Sequence, residues 1–100
     1  SQHVAGILLA ARASGSDARA ALNVRYDESL RDALAAAGHA TAAFDAEAGI
    51  EDAIGAALAD TPGATVLYQT GGFGIEPVLY VLGPDAPTVA RTVRECDPRN

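Results

Sequence analysis

The sequence predicts an α/β domain built on a mixed sheet. Hydrophobic periodicity switches repeatedly between helical and strand spacing, and the elements follow in the order α-β-α-β-α-β-β-α. Strand, helix, strand alternation argues for right-handed parallel crossovers. The link from Tyr68 to Val78 is too short for a crossover, so the last two strands are expected to form an antiparallel pair.

Each element has a local reason. Val4, Ile7, Leu8 and Ala11 recur at helical spacing, and Ser14-Gly15-Ser16 stops that first helix. From Ala21 to Tyr26 the chain alternates, with Leu22, Val24 and Tyr26 on one face and Asn23 and Arg25 on the other. Asp27 is placed to cap a second helix with the stripe Leu30, Ala33, Leu34 and Ala37, and Gly38 to close it. A short strand is expected over His39 to Phe44. A third helix carries Ile50, Ala53, Ile54, Ala57 and Leu58 until Pro62-Gly63 breaks it. Thr65 to Tyr68 reads as the third strand. Val78 to Leu82 is an apolar run between Pro77 and Gly83, as suits a strand covered on both faces. The last helix starts near Asp85, with Pro87 in its first turn and Ala86, Val89, Ala90 and Val93 for packing.

The chain of 100 residues is the size of one domain, and no repeat or low-complexity linker divides it. A helix at the first residue, with no strand before it, reads as part of a longer domain of which residues 1–100 are the C-terminal portion. The core is thin: 23 residues are Ala, whereas Leu, Ile and Val together number 20. With 13 acidic against 7 basic residues the net charge is −6, so this segment repels nucleic acid phosphates. All the basic residues are Arg, which excludes Schiff-base and Walker-type lysine chemistry. Cys96, the single cysteine, makes no internal disulfide and reads as a small apolar residue late in a helix. Apolar stretches fall short of a membrane span and there is no signal-peptide head, so a cytoplasmic location is expected. No metal-ligand cluster is present in the sequence.

Gly71-Gly72-Phe73-Gly74, between two strands, is the most informative local feature. Glycines let successive amides converge on an anion, and they serve equally in a wide hairpin turn. The loop is neither a Rossmann fingerprint, since a strand follows it, nor a Walker loop, since it lacks Lys. Glu76, ahead of Pro77, is suited to accept a hydrogen bond from a heterocycle amine or to hold Mg²⁺ through water, or simply to face solvent. Arg25 beside Asn23 suits bidentate phosphate recognition, or an ion pair to Glu28 or Asp45. His3 stands at the head of the first helix, where anions are favoured, although a terminal His is usually just exposed. His39 reads as a surface residue.

The segments Ser1-Gln2-His3-Val4-Ala5, Ala20-Ala21-Leu22-Asn23-Val24-Arg25-Tyr26, Ala43-Phe44-Asp45, and Gly71 to Pro77 running on to Val81-Leu82-Gly83 together resemble the ThiN domain. That domain is the archaeal type of thiamine phosphate synthase. It joins hydroxymethylpyrimidine diphosphate to hydroxyethylthiazole phosphate with release of pyrophosphate. It occurs fused to the pyrimidine kinase, and behind a helix-turn-helix in regulators of thiamine genes. The resemblance implies a three-layer αβα domain longer than this chain, with a catalytic arginine ahead of His3. It also implies that His3 is the catalytic histidine and that Asn23, Arg25, Gly71, Gly72, Gly74 and Glu76 match family motif positions.

Three departures remove charge. Gln69-Thr70 stands where the enzymes carry a charged pair, Ile75 where they carry Lys, and Gly6 where Arg often follows His-Val-Ala. A departing pyrophosphate needs cationic or metal stabilisation, so a binding site tolerates these losses better than a catalyst does. The leading expectation is therefore the ligand-sensing part of a thiamine-responsive transcription regulator. In it Arg25 and the Gly71 to Gly74 amides hold phosphate, while Glu76, Phe73 and Tyr68 contact heterocycles, and no cofactor is required. The alternative is thiamine phosphate synthase with His3 catalytic and Mg²⁺ on the diphosphate. A third reading is a degenerate domain that serves dimerisation, and an uncovered sheet edge makes a homo-oligomer plausible under all three.

Overall fold

A computed structural model describes residues 2–99; Ser1, the first residue of the resembling segment, lies outside them. The elements are α1 (Gln2–Ala13), β1 (Ala20–Arg25), α2 (Glu28–Ala36), β2 (Thr41–Ala43), α3 (Ile50–Asp60), β3 (Val66–Gln69), β4 (Val78–Gly83) and α4 (Ala86–Cys96). Their order matches the expectation.

The sheet order is β1-β4-β3-β2. β4 pairs antiparallel with both β1 and β3, whereas β2 pairs parallel with β3, so β1, β2 and β3 all run one way. The β2-α3-β3 unit joins neighbours. By contrast, the β1-α2-β2 unit joins opposite edges, because β4 inserts between β1 and β3.

Alternation along β4 explains why it lies inside the sheet. Tyr80 and Leu82 face a cluster with Ile7, Ala10 and Ala11 of α1 and Ile54, Ala57 and Leu58 of α3. Leu79 and Val81 face the other way, against Leu30 and Leu34 of α2 and Val89 of α4. The result is a three-layer αβα sandwich. α4 sits close because residue 83 is Gly: a Cβ there would stand 2.5 Å from Val89 Cγ1.

Several local expectations need correction. β2 is shorter than His39 to Phe44, because the His39 amide donates to Leu34 O and closes α2 in a Schellman arrangement with Gly38 N to Ala35 O. β1 and β3 each shift by one residue. Ala86 is exposed at the start of α4 rather than packed. His39 is half-buried and lines a hollow instead of standing on the surface. No helix among the described residues is long and apolar enough to cross a membrane.

Candidate functional site

In open α/β sheets, ligands bind outside the carboxyl ends of the parallel strands. Here that end carries Arg25, Phe44-Asp45 and the loop from Thr70 to Pro77. α1 packs on the β1 side and is joined to its start by residues 14–19, so it runs opposite to β1. This brings exposed His3, in the first turn of α1, to the same end.

The glycine loop is a closed hairpin tip. Gly72 N donates to Ile75 O at 3.2 Å and Ile75 N donates to Gly72 O at 3.1 Å. Gly74, with φ 71°, takes the third position of the turn, where a positive φ is required in type II geometry. Below the turn, the buried Gln69 side chain clamps both strands: its Nε2 donates to Glu76 O (2.6 Å) and its Oε1 accepts from Gly71 N (2.5 Å). Gly71 is forced by geometry, since φ is 91° and a Cβ would lie 2.9 Å from Ile75 O. The amides of Gly71 and Gly72 are therefore engaged within the loop, and those of Phe73 and Gly74 make no hydrogen bond among the described residues. Phe73 stands fully exposed at the tip.

Beside this loop is a cleft of about 430 Å³ lined by Asn23, Val24, Arg25, Glu76, Pro77 and Val78. The Arg25 ↔ Val78 register places β1's last residue next to the start of β4 and so beside Glu76. The Arg25 side chain makes no ion pair or hydrogen bond among the described residues, neither with Glu28 or Asp45 nor with Glu76. The Glu76 carboxylate is likewise without a partner. A cation and a carboxylate thus share one cleft without neutralising each other. Asn23 pairs in register with Tyr80, whose phenol burial pushes above its ordinary pKa, keeping it neutral.

Tyr68 departs from the expectation that it meets the ligand together with Arg25. It faces the α2 side of the sheet, stacked on Tyr26 with ring centroids 5.7 Å apart. Arg31 lies 5.2 Å over the Tyr68 ring and donates to the Tyr26 hydroxyl at 2.9 Å. The reason is strand parity: Tyr68 shares its face with Val66, whereas Arg25 shares its face with Asn23. Sequence reasoning missed the Gln69 clamp. A buried Gln in an apolar strand was the signal available for it.

Among the described residues, no group of three or more His, Cys, Asp or Glu side chains could hold a metal. A lone Glu76 fits Mg²⁺ that arrives with a diphosphate and keeps its waters, rather than a resident ion.

The model of the family described as thiamine-phosphate synthase ThiN matches residues 1–95. The chain belongs to the ThiN family. Among solved structures, this ThiN chain is similar to the C-terminal domain of protein MJ0236, with TM-score 0.80 and 30% identity over 96% of this chain and 56% of that one. It also shares its fold with the C-terminal domain of phosphomethylpyrimidine kinase, with TM-score 0.82 and 20% identity over 96% of this chain and 61% of that one. The ThiN chain therefore spans little more than half the length of the solved chains it matches. No curated protein sequence matches it. Family membership places it among thiamine-pathway domains.

Proposed function

We propose that this ThiN domain binds thiamine, thiamine phosphate or a phosphorylated precursor, as the sensing part of a thiamine-responsive transcription regulator. The observation that carries the reading is the unpaired Arg25 and Glu76 in one cleft. An uncompensated guanidinium suits a phosphate, and a carboxylate close by suits the amine or cationic ring of the same molecule. The free amides of Phe73 and Gly74 add donors at the loop tip, and the exposed Phe73 ring offers a face to a heterocycle. Asn23 adds a neutral donor and acceptor beside Arg25, while Gly71 and Gly72 shape the loop.

The balance of charge favours binding over turnover. Gln69, at a position where the family's enzymes carry charge, has both ends of its amide engaged in the loop, and Ile75 closes the turn through its backbone. Among the described residues Arg25 is the one cation lining the cleft, which suits a single phosphate better than a departing diphosphate. Sensing needs no cofactor. The synthase reading would assign catalysis to His3, with Mg²⁺ carried in on the diphosphate.

Titration calorimetry with thiamine phosphate tests the proposal. Millimolar or tighter binding is expected, and Arg25→Ala should weaken it by about 10-fold or more, as removal of a charge-assisted hydrogen bond does. No heat of binding at millimolar ligand overturns it. Release of pyrophosphate from the two precursors by the protein would decide for the synthase.

A further inference from the structure

The two helical layers differ in what they show to solvent. α2 and α4 expose Glu28, Asp32, Arg91, Arg94 and Glu95, the charged outer face usual for surface helices. α1 exposes Ala5, Leu9 and Ala13, and Arg12 is its one Arg, Lys, Asp or Glu, so the helix is apolar outside as well as on its core side. A helix apolar all round is one that another surface covers. Leu9 is 68% exposed and Ile50, at the start of α3, is 39% exposed; they are two of the three large apolar side chains left in solvent among the described residues. Both line one groove of about 510 Å³ together with Gly6 and Ala13. Gly6 has no internal reason. Glycine inside a helix weakens it, yet a Cβ here would meet nothing within 4 Å, so packing within the domain does not call for the gap.

The charges of this layer say what covers it. α1 carries a cation and no acid, whereas α3 exposes Glu51, Asp52 and Asp60 and has no base. None of these four groups forms an ion pair among the described residues; Arg12 spends one nitrogen on Ala18 O. The layer is thus complementary to itself. We infer that the α1/α3 layer is the interface of a two-fold dimer of this chain. α1 and α3 run the same way, so a two-fold axis through the Leu9–Ile50 groove lays α1 of one copy across α3 of the other. Leu9 enters the partner's groove, and Arg12 faces the acidic helix, each contact being made twice. A stable dimer needs about 800 Å² from each copy, roughly one seventh of the 5768 Å² surface, which one face of a three-layer sandwich supplies. The pairing uses neither Arg25 nor Glu76, so it is independent of the phosphate cleft.

Sedimentation velocity of the intact chain across the micromolar range tests the proposal. A species of twice the 10.1 kDa chain mass is expected to grow in with concentration. Leu9→Asp places a charge where the partner's groove should close, and should raise the dimer Kd by at least about 10-fold. Leu9 is exposed in the single chain, so this variant should keep its helical circular-dichroism signal and thermal midpoint. Ala35→Asp, an equally acidic change on the exposed side of α2, should leave the Kd unchanged. A monomer throughout the micromolar range, a dimer unmoved by Leu9→Asp, or one weakened equally by Ala35→Asp would overturn the proposal. The first result would leave the apolar layer to a different protein segment, and the second would move the interface elsewhere on the surface.

Discussion

At the scale of single residues, two neighbouring glycines carry different weights. A Cβ at Gly71 would meet Ile75 O at 2.9 Å and Pro77 Cδ at 3.2 Å under a positive φ, whereas one at Gly72 would meet nothing closer than Ile75 Cδ1 at 4.0 Å. Gly71→Ala is therefore expected to cost at least about 1 kcal/mol in urea unfolding, with Gly72→Ala close to neutral. Equal effects at both positions would refute this account of the loop. The glycine run was legible in the sequence as a turn or an anion loop, and the structure makes it a closed turn that leaves Phe73 and Gly74 with free amides. What could not be read was the Gln69 clamp. Its acceptor is the backbone carbonyl of Glu76, seven residues on, and a carbonyl leaves no mark in a side-chain pattern. The free state of Arg25 was equally hidden, because Glu28 and Asp45 were adequate partners in composition and only distance excludes them.

At the scale of elements, α2 shows a helix whose ends are written in its own residues. Asp27 Oδ1 accepts from Leu30 N at 2.9 Å, and Gly38 follows the last turn with a φ of 100°. Asp27→Ala should lower stability by about 1 kcal/mol, read by denaturant unfolding together with the helical circular-dichroism signal. Most of that loss belongs to the cap, since the Arg99 contact to Asp27 is long, at 3.9 Å, and largely exposed. α3 contrasts with it: its N-cap is Gly49, which has no side chain to give, and the element is held by burial of Ala53, Ile54, Ala57 and Leu58. Strand lengths were the least legible feature. His39 belongs to the end of α2 because its amide completes the helix, a competition that hydrophobic alternation does not register.

For the whole molecule, acidity sets the pH response. The Asp85 carboxyl is held below its ordinary range by hydrogen bonds from the Thr88 side chain and backbone, and Asp97 likewise by those from Arg99. A carboxyl lowered on folding contributes stability above its unfolded pKa, and that contribution is lost as pH falls through the folded value. The thermal midpoint is thus expected to fall as pH drops from about 6 to about 3, through the carboxylate range. Asp85→Asn should flatten part of that slope, and an unchanged slope would count against its role. These groups are exposed, so the effect is modest and salt-sensitive.

The sequence alone determined the element order, the caps of α2, the start of α4 near Asp85, the antiparallel final pair and the family likeness. All of these rest on spacing within a few residues or on motifs that keep their order along the chain. Only the tertiary structure decided that β4 lies between β1 and β3, that Tyr68 and Arg25 occupy opposite faces, and that Arg25 and Glu76 share a cleft unpaired. Those outcomes depend on which distant strands exchange hydrogen bonds. That choice follows from burying both faces of Val78–Gly83 at once, and no local pattern encodes it.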